Sequence, residues 1–188
     1  GIMEKAIGKK IADYLIKPVN PNQILMTIKK RLEKEEIISE SNTIHYREEF
    51  GRLSREMNEC RRADEWVSIY KKLTFWEIEF SRSQHPLQEL LAAQKSEANV
   101  RFGKFVTQNY ENWLLDPESA PLLSYGLLQQ RLLPELDKGE KIFFILIDNF
   151  RYDQWLAIKS LVSDLFTYTE DTCFSILPTA TQYARNAI

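Results

Sequence analysis

Between residues 43 and 131 glycine is rare, and apolar residues recur every three or four positions. This spacing places apolar side chains along one face of an α-helix. Three such stripes are present: Tyr46, Phe50, Leu53 and Met57; Trp66, Ile69, Leu73, Trp76 and Phe80; and Leu87, Leu90, Leu91, Ala98, Phe102, Phe105, Val106 and Trp113. Because such stripes are buried by facing one another, they predict an antiparallel helical bundle with breaks near 61–64, 83–86 and 116–121. We expect its core to include five large side chains: Trp66, Trp76, Leu90, Phe102 and Phe105.

The segment before this bundle has a different pattern. Residues 12–16 form an apolar strand candidate that ends at Lys17 and Pro18. Asn20 is a good helix N-cap and Pro21 suits the first helical position, so a helix should run from about residue 21 into the mid-thirties. Its apolar face would consist of Ile24, Leu25, Ile28 and Leu32.

The pattern changes again after Gly139. Residues 141–148 form a continuous apolar run without alternation, which is typical of a strand covered on both faces in a parallel sheet. A helix is predicted from about 151 to 164 and a β-rich stretch from 166 to 177. Strand, helix and strand in this order are the opening of a βαβ unit. The chain should therefore be mainly α, with α/β elements at both ends.

Net charge and composition argue against several classes of protein. The 188 residues have a formal net charge of -2, so no overall positive field attracts nucleic acid or an anionic membrane. The longest apolar run is far shorter than the ~18 residues of a membrane span. Cys60 and Cys173 lie far apart and in segments of different type, so they form neither the pattern of a disulfide framework nor a metal-ligand spacing. A cytoplasmic protein with reduced thiols fits best. His45 and His85 are also distant in sequence, so we assign both to surface or interhelix roles rather than to metal.

Candidate chemistry lies in the last third of the chain. Asp148 ends the apolar run, and binding sites of open α/β sheets form at the carboxyl ends of strands. A second hypothesis is that Asp148 caps the helix that starts near Arg151. Thr179 and Thr181 follow another strand end, where a helix N-terminus would suit phosphate. The alternative is that one of these threonines is an ordinary N-cap.

Two motifs taken together are more specific. The sequence IDNFR at 147–151, followed by PTAT at 178–181, resembles the opening of the alkaline phosphatase superfamily. This resemblance implies that Asp148 binds a metal ion and that Thr181 is both a metal ligand and the nucleophile. Thr181 is preferred to Thr179 because phosphodiesterase branches of the superfamily have a similar motif in which the second threonine reacts. Two divalent metals, usually zinc, would lower the pKa of the threonine hydroxyl and hold the phosphoryl oxygens.

Residues 13–24 resemble the last strand and last helix of a flavodoxin-like response-regulator receiver. In that family a lysine, here Lys17, contacts the phosphorylated aspartate. Receiver, helical bundle and PglZ-type phosphatase opening, in this order, resemble the PorX-type response regulators. The resemblance implies a receiver part at 1–36, a helical linker at 37–138 and the N-terminal part of a PglZ domain at 139–188. The chain would be an internal fragment, with the phosphoacceptor aspartate and the remaining metal ligands outside it.

The same resemblance implies a function. The output would be a zinc-dependent phosphodiesterase that acts on nucleotide phosphodiesters and controls type IX secretion. A sensor histidine kinase would phosphorylate the receiver, and secretion-system proteins, a sigma factor or a second copy of the protein would be further partners. The fragment alone should be inactive, because tetrahedral zinc takes three or four protein ligands and Asp148 and Thr181 supply only two.

Two other functions compete with this one. A transcription regulator would need a helix-turn-helix with a basic recognition helix, and the acidic balance and long predicted helices argue against it. A helical module for dimerisation or partner binding, without enzymatic output, would instead show an exposed apolar stripe.

Overall fold

The computed structural model describes residues 21–81, 85–139 and 141–188. These residues are mainly helical, which confirms the predicted fold class at that level. The chain divides into two compact units, Gly1–Phe50 and Gly51–Ile188. The predicted strand at 12–16, Lys17 and the Asn20 cap lie outside the described residues.

The described part of the first unit belongs to one long helix, α1 (Pro21–Glu59), whose last residues are in the second unit. Pro21, the predicted first helical position, is helical, but the predicted end in the mid-thirties is wrong. No glycine or proline occurs between 22 and 50. Ion pairs one turn apart also support the helix, with Lys29–Glu33 at 3.8 Å and Arg31–Glu35 at 3.5 Å. The helix therefore continues into the first predicted stripe of the bundle.

The second unit is built on α2 (Ala63–Ser81) and α3 (Gln88–Leu115), together with the end of α1. The breaks between these helices lie where the sequence predicts them. Every member of the predicted α2 stripe is buried: Trp66, Ile69, Leu73, Trp76 and Phe80. An ion pair between Lys72 and Glu56, with Nζ and Oε1 at 2.8 Å, adds a polar link between α2 and α1.

The buried face of α3 contains four residues of the predicted stripe, Leu91, Ala98, Phe105 and Trp113, and it differs from the prediction at Leu90 and Gln94. Leu90 is 37% exposed, so its place in the predicted core is wrong, whereas the adjacent Leu91 is 4% exposed. The buried face continues from Leu91 through Gln94, whose amide donates a hydrogen bond to the Ser54 hydroxyl at 3.3 Å. An apolar pattern cannot include a buried glutamine, so it missed Gln94 while it located the other residues of this face. The other predicted core residues are buried or half-buried: Trp66, Trp76, Phe105 and Phe102.

Short elements follow α3. They are a 3-10 helix (Ser124–Gly126), a π-helical turn (Leu128–Leu132), α4 (Leu133–Asp137), α5 (Tyr152–Val162), α6 (Thr181–Ala184) and a final 3-10 turn (Arg185–Ala187). The helix α5 confirms the one predicted from about residue 151. No helix in the described ranges is long and apolar enough to cross a membrane.

The strand predicted at 141–148 is not observed. Phe143 is 92% exposed and Ile145 is 79% exposed. A strand needs a neighbouring strand to pair its backbone N–H and C=O groups. In the described part of the chain, such pairing is limited to a parallel bridge between Leu123 and Phe174. The predicted β-rich stretch at 166–177 contributes only Phe174 to it.

Cys60 lies buried in the turn between α1 and α2. Its thiol donates a weak hydrogen bond to the carbonyl oxygen of Arg62, with 3.7 Å between Sγ and O. Burial, and after it the negative charge of Glu65, raises the pKa of Cys60 from its ordinary value of 9.0 to about 11. The Glu65 carboxylate is held in this turn because it accepts hydrogen bonds from the N–H groups of Arg61 and Arg62 at 2.8 and 2.9 Å.

We expect the chain to lose stability as the pH rises from 9 towards 11. The unfolded chain releases the Cys60 proton first, so rising pH favours unfolding through this window and has no such effect below it. The loss should reach about 2 kcal/mol. Urea unfolding of the wild type and Cys60→Ala under reducing conditions measures it. Tyr46, whose pKa burial raises to about 12, contributes equally to both proteins, and an identical pH dependence in the two would contradict the prediction.

Candidate functional site

Asp148 lies in an exposed turn shortly before α5. The next residue, Asn149, has a φ of 54°, a left-handed conformation that asparagine adopts more readily than most residues. The N-cap of α5 is Arg151, whose N–H donates a hydrogen bond to the side chain of Gln154 at 3.0 Å. The hypothesis that Asp148 caps this helix is therefore wrong. The Asp148 carboxylate has no hydrogen bond or ion pair with any other described residue, which leaves both oxygens available to a cation.

Thr181 is the first residue of α6, and its side chain is exposed. The N-cap of this short helix is Ala180, whose carbonyl oxygen accepts hydrogen bonds from the N–H groups of Tyr183 and Ala184 at 2.9 Å. No side chain caps the helix, so the hypothesis that Thr179 or Thr181 is an ordinary N-cap is wrong. The Thr181 hydroxyl is not needed to start α6.

No group of three or more His, Cys, Asp or Glu side chains in the described ranges is close enough to hold a metal ion. His45 is exposed on α1. His85 is buried at the turn between α2 and α3, where its ring stacks on Phe80 with centroids 4.0 Å apart and planes at 6°. Its Nδ1 accepts a hydrogen bond from the N–H of Leu87 at 3.2 Å. His85 therefore packs between two helices and stabilises the turn that joins them.

Two further carboxylates precede the PTAT motif, and each forms an ion pair. Glu170 pairs with Lys159, with Nζ and Oε1 2.8 Å apart, and this ammonium group is the main cause of the lowered pKa of Glu170. The pKa of Asp171 is also lowered. The largest cause is the hydrogen bond from the N–H of Thr172, and the next is Arg131, whose Nη2 lies 2.6 Å from the carboxylate. Both carboxylates remain ionised at neutral pH, and each already has a cationic partner.

The segment 172–177, which we call the lead segment because it leads to Thr181, lies against the helices of the second unit. Phe174 pairs with the chain that follows α3: Ser124 N–H donates to the Phe174 carbonyl, and Phe174 N–H donates to the Leu122 carbonyl, both at 2.8 Å. Sequence reasoning assigned this stretch to a β-rich element and missed its partner. A single bridge has no periodic pattern that a sequence could reveal.

A groove of about 590 Å³ borders the lead segment and was also missed. Its walls come from α2, α3 and residues 172–174. Apart from Lys95, its large side chains are apolar or aromatic: Trp66, Ile69, Tyr70, Leu73, Phe102 and Phe174. The volume is within the range of small-molecule pockets. The indole N–H of Trp66 is buried and has no hydrogen-bond partner among the described residues.

Comparison with protein families gives two matches along the chain. Residues 36–114 match the PorX response regulator linker domain, and residues 127–188 match the BREX system PglZ alkaline phosphatase-like domain. Asp148 and Thr181 both lie in the second match. A comparison with curated proteins gave no match. The two family matches, in this order, confirm the PorX-type arrangement predicted from the sequence, a response-regulator linker followed by a phosphatase-like output domain.

Proposed function

We propose that this chain is an internal part of a two-component response regulator whose output domain is a zinc-dependent phosphodiesterase. The main support is the match of 127–188 to an alkaline phosphatase-like domain, directly after a response-regulator linker. The proposal keeps the predicted boundaries: receiver at 1–36, linker at 37–138 and phosphatase-like domain at 139–188.

Thr181 is the nucleophile of this proposal and Asp148 a metal ligand. The Thr181 oxygen would attack phosphorus and displace the alkoxide of the diester. Both side chains are exposed, and neither is used to cap a helix. Carboxylate and hydroxyl oxygens suit zinc, but a zinc site needs three or four protein ligands. Further ligands must come from outside the described residues, since these contain no such cluster. When bound, zinc would supply the positive charge that makes an aliphatic hydroxyl reactive at neutral pH.

The proposed control of this activity starts at the receiver. A sensor histidine kinase would phosphorylate it, and Lys17 would pair with the phosphoryl group through a charge-assisted hydrogen bond. The activity would regulate type IX secretion from the cytoplasm, with nucleotide phosphodiesters as substrates. Secretion-system proteins, a sigma factor and a second copy of the protein remain the proposed partners.

The exposed apolar face at the start of α1 fits this arrangement. The side chains are 43–64% exposed in this chain: Ile24, Leu25, Ile28 and Leu32. The last helix of a receiver packs such a face on its own sheet. A receiver therefore accounts for this face without a separate dimerisation or partner-binding function.

Metal removal tests the proposed function. Purified full-length protein should hydrolyse bis-para-nitrophenyl phosphate, lose the activity on chelation and regain it with zinc but not with magnesium. Magnesium prefers octahedral oxygen coordination and keeps several waters, so it is a poor substitute at a tetrahedral site. The 188-residue chain is the matched control and should be inactive. Hydrolysis that survives chelation, or that the short chain performs as well, would contradict the proposal.

A further inference from the structure

The helices of the linker hold the backbone that leads to Thr181. The N–H of Leu177, at the end of the lead segment, donates a hydrogen bond to the Tyr110 hydroxyl on α3, with 2.7 Å between N and O. Only three residues separate Leu177 from Thr181, so the two Cα atoms lie at most about 14 Å apart. One of the three is Pro178, whose ring fixes its φ and stiffens the connection. The position of Leu177 therefore limits the positions that Thr181 can take.

The rest of the lead segment is anchored as well. Besides the paired hydrogen bonds of Phe174 with the chain after α3, the N–H of Ile176 donates to the Ser124 hydroxyl at 3.3 Å. The Phe174 ring packs against Trp113 of α3 with centroids 5.6 Å apart. Trp113 is buried, and its ring centroid lies 6.3 Å from that of Tyr110. The helix α3 therefore contacts the lead segment through an apolar group, the Trp113 ring, and through a polar one, the Tyr110 hydroxyl.

From this geometry we infer that Tyr110 is a positioning residue for Thr181 and that α3, through it, couples the linker to the phosphatase-like domain. The inference rests on the proposed role of Thr181 as the nucleophile. An attacking atom must lie within a few tenths of an ångström of its reactive position, and errors of about 1 Å can cost about a hundred-fold in rate. Because one hydrogen bond from α3 restrains the residue just before the PTAT motif, a shift of α3 would change the rate without changing any ligand of the substrate.

Tyr110→Phe tests the inference, because it removes one hydroxyl and keeps the ring that packs on Trp113. In the full-length protein with zinc, we expect kcat for bis-para-nitrophenyl phosphate to fall about ten-fold while KM and Tm stay close to the wild type. Tyr125→Phe is the matched control, because Tyr125 lies in the neighbouring 3-10 helix and its hydroxyl has no hydrogen bond with another described residue. A kcat for Tyr110→Phe within two-fold of that of Tyr125→Phe would overturn the inference.

A second measurement does not depend on catalysis. Amide hydrogen exchange at Leu177 should accelerate at least several-fold in Tyr110→Phe and stay unchanged in Tyr125→Phe. Ser124→Ala should accelerate exchange at Ile176 in the same way. If Thr181→Ala leaves activity intact, the proposed role of Thr181 as the nucleophile fails, yet the exchange result still tests the contact. If Thr181→Ala abolishes activity but Tyr110→Phe alters neither exchange nor kcat, only the positioning role is wrong.

Discussion

Thr181→Ala in the full-length protein is expected to lower kcat for a phosphodiester about a thousand-fold or more. The substitution removes the oxygen that would attack phosphorus, at the first residue of α6. Loss of the nucleophile in other enzymes that use covalent catalysis has effects of this size or larger. The folded structure should be unaffected, because the exposed Thr181 hydroxyl does not cap α6. Initial rates with bis-para-nitrophenyl phosphate and Tm values for both proteins measure the effect.

Thr179→Ala is the matched control, since it removes the same hydroxyl two residues earlier in the same motif. We expect its kcat to stay within a few-fold of the wild type. The reverse result, with Thr179→Ala inactive and Thr181→Ala active, would move the nucleophile to Thr179. Full activity in both variants would remove the nucleophile from this motif. Asp148→Ala should also abolish the activity, and added zinc at high concentration should restore less of it than in the wild type.

The second large effect concerns stability. Trp76→Ala is expected to lower the free energy of unfolding by about 3 to 5 kcal/mol, because a buried indole leaves a cavity that the helices cannot fully close. Trp76 is 7% exposed and packs against Phe80, with ring centroids 5.6 Å apart. In a chain of this size the change corresponds to a Tm lower by about 10 °C.

Phe75→Ala is the control that separates the effect of lost burial from the effect of replacing an aromatic residue by alanine in this helix. Phe75 is the preceding residue of the same helix but is 52% exposed, so the change in helix propensity is similar and the lost burial is smaller. We expect a loss below about 1.5 kcal/mol for this variant. Equal losses for Trp76→Ala and Phe75→Ala would mean that the α2 stripe does not form the core described above. Thermal unfolding of the 188-residue chain followed by circular dichroism is sufficient for the comparison.

The helical part of the fold could be predicted because its signals are local. The α2 stripe from Trp66 to Phe80 follows the helical period closely and is buried throughout. Pro21 was predicted to occupy the first position of a helix. The breaks between α1, α2 and α3 were predicted from the points where the apolar stripes are interrupted. The helix end predicted in the mid-thirties was wrong, since residues 22–50 contain no glycine or proline and a helix without such residues continues until its surroundings stop it. The motifs around Asp148 and Thr181 predicted the phosphatase-like match of residues 127–188 for a similar reason, because residue types at a fixed spacing can be read directly from a sequence.

The sequence by itself determined the helices, the helical bundle with most of its core, and the PorX-type order of linker and phosphatase-like domain. Tertiary structure decided which side chains meet. Of the two neighbouring stripe residues it buried Leu91 and left Leu90 37% exposed, and it buried Gln94, whose amide donates a hydrogen bond to the Ser54 hydroxyl. It also brought the lead segment against Tyr110, although 67 positions separate Leu177 from that residue. Contacts over such distances depend on how the helices pack and leave no periodic pattern in the sequence, whereas helix formation depends on neighbours three and four residues away.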